Sequence, residues 1–161
     1  MTFVDDATVR KAVTVPVSQG TAFAVFTERI GDFKPPEHNL LSVPIAETVL
    51  EPHEGGAIID RGVDGSECRW ARILAFEPPS RLVFSWDIGP TWQIESDPAR
   101  TSEVEVRFVA EGPRATRVEI EHRHLDRHGP GWEGIGGAVD SEAGWPLYLE
   151  RFAALAGAAV G

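Results

Sequence analysis

Between residues 68 and 86 the chain alternates in a way that defines two strands. Cys68, Trp70, Arg72, Leu74 and Phe76 occupy every second position. Glu77-Pro78-Pro79-Ser80 then breaks the pattern, and Leu82, Phe84 and Trp86 resume it. Successive strand side chains point to opposite faces, so these residues share one face of a hairpin. All of them can pack into a core except Arg72, a permanent cation that needs a partner or water. That face either lines a cavity or holds an internal ion pair. A bulge in the first strand would instead turn Arg72 to the other side.

The remaining elements follow from the same two periods. Residues 9–16 read as a strand with Val9, Lys11, Val13 and Val15 on one face. Ser18 is a helix N-cap, and residues 19–28 carry Ala22, Phe23 and Phe26 at helical spacing, continued by Ile30. Gly31 ends or bends this helix. Residues 32–41, with Pro35-Pro36, read as loop or a short broken helix. Strands follow at 43–50 and 57–61, separated by Gly55-Gly56, and Gly62-Val63-Asp64-Gly65 turns into the hairpin. After a loop at 88–100 come strands at 101–110, with Val104, Val106 and Phe108 inward, and at 116–125, with Val118, Ile120, His122 and His124 in one phase. A glycine-rich loop, 129–137, leads to a last helix at about 139–156, striped by Trp145, Leu149, Phe152 and Ala156. The order β-α-β-β-β-β-β-β-α predicts an α+β fold, an antiparallel meander of six to seven strands covered by the final helix. One helix cannot fill the concavity of a curved sheet, so the space between them is the candidate cavity.

Composition narrows the class. The chain has 161 residues and 42% hydrophobic content, which predicts a single soluble domain spanning 1–161. No apolar run approaches the roughly 20 residues of a membrane helix. The net charge of −10, with Lys11 and Lys34 the only lysines, argues against nucleic acids and anionic membranes. A lone Cys68 cannot form an internal disulfide, and residues 1–6 lack a basic segment followed by an apolar one. Both point to the cytoplasm. Gly134-Ile135-Gly136-Gly137 lacks both a preceding strand at dinucleotide spacing and a phosphate-binding lysine, so it is read as a hinge and no cofactor is expected. His122, His124, His128 and Asp126 do not match a common metal-ligand pattern, and no metal is expected.

Several motifs in this order resemble a known family. They are Val13-Thr14-Val15-Pro16 leading to Ala22-Phe23-Ala24-Val25-Phe26-Thr27, the pair Gly55-Gly56, and Asp64-Gly65-Ser66-Glu67-Cys68. Phe76-Glu77-Pro78-Pro79 and Arg81-Leu82-Val83-Phe84-Ser85-Trp86 continue the pattern. Thr101-Ser102-Glu103-Val104, Thr116-Arg117-Val118-Glu119 and Gly144-Trp145-Pro146 complete it. Over residues 9–156 the chain resembles the helix-grip, START-like (Bet v-like, SRPBCC) superfamily. Within it, the chain is similar to the bacterial branch named after the activator homologue of the heat-shock-protein-90 ATPase. The resemblance implies a cavity that takes lipids, hormones or polyketides in some members and cyclises or dehydrates them in others. The eukaryotic chaperone activators use a relative of the domain to bind protein. Fold alone does not choose among these.

The candidate ligand-binding residues are Trp70, Arg72, Phe84, Trp86, His122, Trp145, Leu149 and His38. Arg72 would pair with a ligand acid, or else with an internal carboxylate. Trp70, Trp86 and Trp145 would form walls, or fill core. An inward His122 could hydrogen-bond a ligand or transfer a proton, or be a satisfied core histidine. Glu37-His38 looks like the family's loop over the cavity mouth. Trp92 and Trp132 fall in loops as lid or partner contacts. No mutually bonded catalytic set is legible, so no catalytic residue is assigned. The leading expectation is a module binding a hydrophobic or amphipathic small molecule. The alternatives are a polyketide cyclase/aromatase-like enzyme using Arg72 and His122, and a chaperone-contacting interaction module. A homodimer is compatible with the chain, and nothing in it decides the point.

Overall fold

The computed structural model describes residues 7–36 and 38–158. Seven strands form one sheet: β1 (Val9–Val15), β2 (Ile45–Leu50), β3 (Ala57–Gly62), β4 (Glu67–Glu77), β5 (Arg81–Trp86), β6 (Ser102–Gly112) and β7 (Ala115–Arg123). Their spatial order is β1-β7-β6-β5-β4-β3-β2, antiparallel throughout. From β2 to β7 each strand pairs with the next, and β1 closes onto β7. Helices α1 (Gln19–Glu28) and α2 (Ile30–Phe33) follow β1, while α3 (Trp132–Asp140) and α4 (Trp145–Ala158) follow β7. This is the expected helix-grip arrangement, a curled antiparallel sheet around a C-terminal helix.

Where alternation is unbroken, local cause and structure agree. Ser18 caps α1 by accepting the Thr21 backbone N–H at 3.2 Å. Val104, Val106 and Phe108 of β6 and Val118, Ile120 and His122 of β7 are all buried. On the outer face Glu105 is held by Arg123, Arg81 and Arg107. Burial alone would push the Glu105 carboxyl up, but hydrogen bonds from those three guanidinium groups outweigh it and hold it at about 2.

Strand β4 departs from simple alternation at two bulges. Against β3, Ile58 faces Ala71 and Ile59 faces Arg69, which leaves Trp70 as the extra residue. Against β5, Ile73 faces Phe84 and Ala75 faces Val83, which leaves Leu74 extra. Each extra residue shifts the phase. Trp70, Ala71 and Ile73 enter the core, Phe76 packs against it, and Arg72 and Leu74 do not. The expectation that Arg72 and Leu74 share the core face is therefore corrected.

Two further boundaries differ. The expected last helix is two helices, and α3 occupies most of the glycine-rich segment. The corner between them depends on Gly144, where a Cβ would lie 2.3 Å from the Val139 carbonyl oxygen and 2.4 Å from that of Ala138. Strand β7 ends at Arg123, and His124 adopts a left-handed φ of 60° and is exposed. His124 therefore does not continue the inward phase of His122.

The core is not uniform along the groove. At one end Phe152 of α4 packs on Phe26 and Phe33 with ring centroids 5.3 and 5.4 Å apart. Phe108 of β6 meets Phe23 and Phe26 at 5.1 and 5.7 Å. Edge-to-face pairs of this kind add about 0.5–1.5 kcal/mol each to area burial. Helices α1 and α2 thus close that end solidly, and the other end is left to α3, α4 and the tryptophans.

Candidate functional site

The tryptophan end holds a cavity of about 360 Å³, within the size range of small-molecule sites. An aromatic ladder forms much of its wall. Trp70 and Trp86 lie 5.7 Å apart, Trp86 and Trp145 5.5 Å, and Trp145 and Tyr148 4.9 Å. Val139 and Ala138 of α3 and Gly144 at the corner complete the helical side. Leu40 and Trp92 are partly exposed at the cavity. Trp92 holds a φ of 60°, a conformation that costs a non-glycine residue about 1 kcal/mol or more.

One side of this apolar space is polar. Lys34, at the C-terminal end of α2, is carried inward beside buried Phe33. Its Nζ lies 3.1 Å from Oδ2 of Asp60 on β3, with both side chains almost fully buried. It also donates to the His38 carbonyl and lies 5.7 Å from the centre of the Trp70 ring. Asp60 Oδ1 accepts from Thr48 Oγ1 at 2.7 Å and from Trp70 Nε1 at 3.2 Å. Each carboxylate oxygen is therefore bonded, as a buried charge requires. Next to the pair, His38 Nδ1 and the Tyr148 hydroxyl are 3.1 Å apart.

Behind Trp145 runs a chain of buried hydrogen bonds. Trp145 Nε1 donates to His122 Nδ1 at 3.1 Å. An indole only donates, so a neutral His122 carries its proton on Nε2 and gives it to Ser102 Oγ at 2.7 Å. The Ser102 hydroxyl then donates to His128 Nε2 at 2.8 Å. Burial, reinforced by the charge of a protonated His128, pushes the His122 imidazole down to about 3. At neutral pH His122 is an uncharged structural link that fixes the Trp145 ring.

Of the residues picked out in the sequence, Trp70, Trp86, Trp145 and His38 line the cavity. Phe84, His122 and Leu149 are buried behind its wall rather than in it. Arg72 lies on the outer face, bonded through Nε and Nη2 to Asp87 at 3.1 Å each and to Thr101 at 3.0 Å. The β4 bulges explain this, and they separate Arg72 from His122, so the suggested proton-transfer pair is not assembled. Glu37, read with His38 as the mouth loop, lies outside the described residues. Trp92 lines the cavity as a loop residue, whereas Trp132 packs against the core from α3. Lys34, Asp60 and Tyr148 were missed. The available signal was a lone acid inside the apolar run Ala57-Ile58-Ile59-Asp60 and one of only two lysines, set just before Pro35-Pro36. Among the described residues no group of three or more His, Cys, Asp or Glu side chains could hold a metal ion, and no helix is long and apolar enough to cross a membrane.

Comparison with known proteins gives a consistent set of relatives. A family model described as Activator of Hsp90 ATPase homolog 1-like protein matches residues 17–157. The chain is similar to the structure of Txn09, an anthrahydroquino-gamma-pyrone synthase complexed with SUM. The identity is 42% over 92% of this chain and 96% of that one, with a TM-score of 0.66. It is similar also to CalC, a self-sacrificing resistance protein from Micromonospora echinospora, at 29% identity over 95% and 96% of the two chains and a TM-score of 0.68. Protein MLL2253 from Mesorhizobium loti shares the fold at 19% identity over 92% and 95%, with a TM-score of 0.64. No curated protein matches the chain.

Proposed function

The chain belongs to the Activator of Hsp90 ATPase homolog 1-like protein family, and we propose that this member binds a hydrophobic or amphipathic small molecule between its sheet and α4. The observation that carries the reading is the aromatic-walled cavity of about 360 Å³ beside Trp70, Trp86, Trp145 and Tyr148. Burying a flat apolar ligand there gains about 25 cal/mol for each Å² removed from water. The test is equilibrium dialysis with anthraquinone, comparing the natural chain with Ala138→Trp, which fills the cavity from α3. One saturable site that is lost in the variant is expected. No saturable binding, or equal binding by both proteins, would overturn the reading.

A second reading, a cyclase-like enzyme acting on a polyketide-type ligand, is favoured by the 42% identity with a pyrone synthase over nearly the whole chain. If the cavity turns its ligand over, the groups placed for proton transfer are Lys34, Asp60, His38 and Tyr148, not Arg72 and His122. Catalysis would appear as a changed ligand mass after incubation with the natural chain. Recovery of every tested ligand unchanged would leave binding as the function.

A further inference from the structure

The hydrogen-bonding groups around the cavity are unequally used. Both Asp60 oxygens already accept, from Lys34, Thr48 and Trp70. The side chain of Asn39 bonds within its own loop, donating one N–H to the Val43 carbonyl and accepting from the Leu41 N–H. The donors are not exhausted. An ammonium group has three N–H bonds. Those of Lys34 meet Asp60 and the His38 carbonyl, and no third nitrogen or oxygen partner exists among the described residues. Trp86, in the same wall, has a buried Nε1 with no hydrogen-bond partner among the described residues, whereas the indoles of Trp70 and Trp145 are both engaged. A buried donor without an acceptor is costly, and an incoming acceptor recovers that cost.

The charge of the acceptor is also constrained. Lys34 is already neutralised by Asp60 at 3.1 Å. A ligand carboxylate on Lys34 would therefore sit close to a second buried carboxylate, and like charges at such a distance repel strongly in an apolar site. A neutral oxygen with a large partial charge meets the spare donor without that repulsion. The body of the ligand must be apolar and match the faces and edges of Trp70, Trp86, Trp145 and Tyr148.

We infer that the cavity selects flat, fused-ring aromatic molecules bearing neutral carbonyl oxygens, of the quinone or aryl ketone type, with one carbonyl accepting the spare N–H of Lys34. This rests on the reading of the cavity as a small-molecule site, and names the class of molecule. Lys34 then acts as a specificity-determining residue and Asp60 as the group that holds its charge and position.

The test compares anthraquinone with anthracene, which share one ring frame and differ in the two carbonyl oxygens. Anthracene-9-carboxylate serves as the acidic arm. Equilibrium dialysis at about pH 7 gives all three dissociation constants. Anthracene is the most hydrophobic of the three, so apolar burial alone would favour it. Anthraquinone is expected to bind about tenfold tighter than either, the scale of a hydrogen bond from a charged donor. The variant is Lys34→Met combined with Asp60→Asn, which leaves no lone buried charge while keeping an acceptor for Trp70 and Thr48. In it the anthraquinone preference over anthracene should disappear. Should the double variant not fold, the preference of the natural chain decides alone. Equal binding of anthraquinone and anthracene, tighter binding of the carboxylate, or a preference that survives in the folded double variant would overturn the inference and leave the cavity reading standing. Failure of all three compounds to bind would overturn the cavity reading itself.

Discussion

His122 offers the sharpest quantitative test of the buried network. Its ring is fully buried between Trp145 and Ser102, and burial lowers its folded pKa from 6.5 to about 3. The unfolded chain takes up a proton near 6.5 that the folded chain refuses until about 3. The unfolded state therefore binds more protons throughout that window, so stability falls as the pH is lowered. With those two values the loss between pH 7 and pH 5 is about 2 kcal/mol, growing by about 1.4 kcal/mol for each further pH unit down to the folded value. Glu105 also loses stability on acidification, but its pKa is lowered from 4.5 to about 2, so its contribution is lost mainly below about 4.5. His128 is shifted downward as well, by burial first, so it too loses stability as the pH falls below 6.5.

A difference between two proteins separates the two histidines. In His122→Gln an amide can accept from Trp145 and donate to Ser102, but it does not titrate. Urea unfolding followed by far-ultraviolet circular dichroism at about pH 7 and about pH 5 gives four stabilities. The natural chain should lose about 2 kcal/mol more than the variant between the two conditions. Equal losses would mean that His122 takes its proton in the folded state near its ordinary pKa, and the dry, neutral link behind Trp145 would be refuted.

Two other substitutions probe the corner and the outer ion pair. Gly144→Ala places a methyl group 2.3 Å from the Val139 carbonyl oxygen. Overpacking of this kind costs about 1–3 kcal/mol, so calorimetry should show a melting temperature lower by about 5 °C, and an unchanged value would show that the α3–α4 corner yields freely. Arg72→Met strips the buried Asp87 of its guanidinium. With Arg72 itself 40% exposed, the cost should be about 1 kcal/mol, and anthraquinone affinity should not change. A tenfold loss of affinity would place Arg72 at the cavity after all and contradict the bulged register of β4.

The strands legible in the sequence were those whose hydrogen-bonded register never slips. Val104, Val106 and Phe108 alternate with Glu105 and Arg107, and the structure keeps that phase because β6 has regular partners on both sides along this stretch. In β4 the sequence Trp70-Ala71-Arg72-Ile73-Leu74 contains apolar residues in both phases, so alternation is satisfied by either register. The choice is made by β3 and β5, which the local pattern does not contain. The same limit hid Lys34 and Asp60. They meet only because the C-cap of α2 carries Lys34 to Asp60 of β3, and no spacing in the chain records that meeting.

Why the polar groups gather at that end does have a cause in the residue types. Phenylalanine has no polar atom, so Phe23, Phe26, Phe33, Phe108 and Phe152 can close the far end of the groove by edge-to-face packing alone. A buried tryptophan brings an N–H that needs an acceptor. Trp70 finds Asp60 and Trp145 finds His122. Asp60 in turn requires Lys34, and His122 requires Ser102. The polar pole is thus a consequence of building this half of the core from indoles. Trp86, whose Nε1 has no partner among the described residues, is the member of the set for which the fold supplies no acceptor. The cavity therefore lies beside the one indole of this wall that the described residues leave without an acceptor.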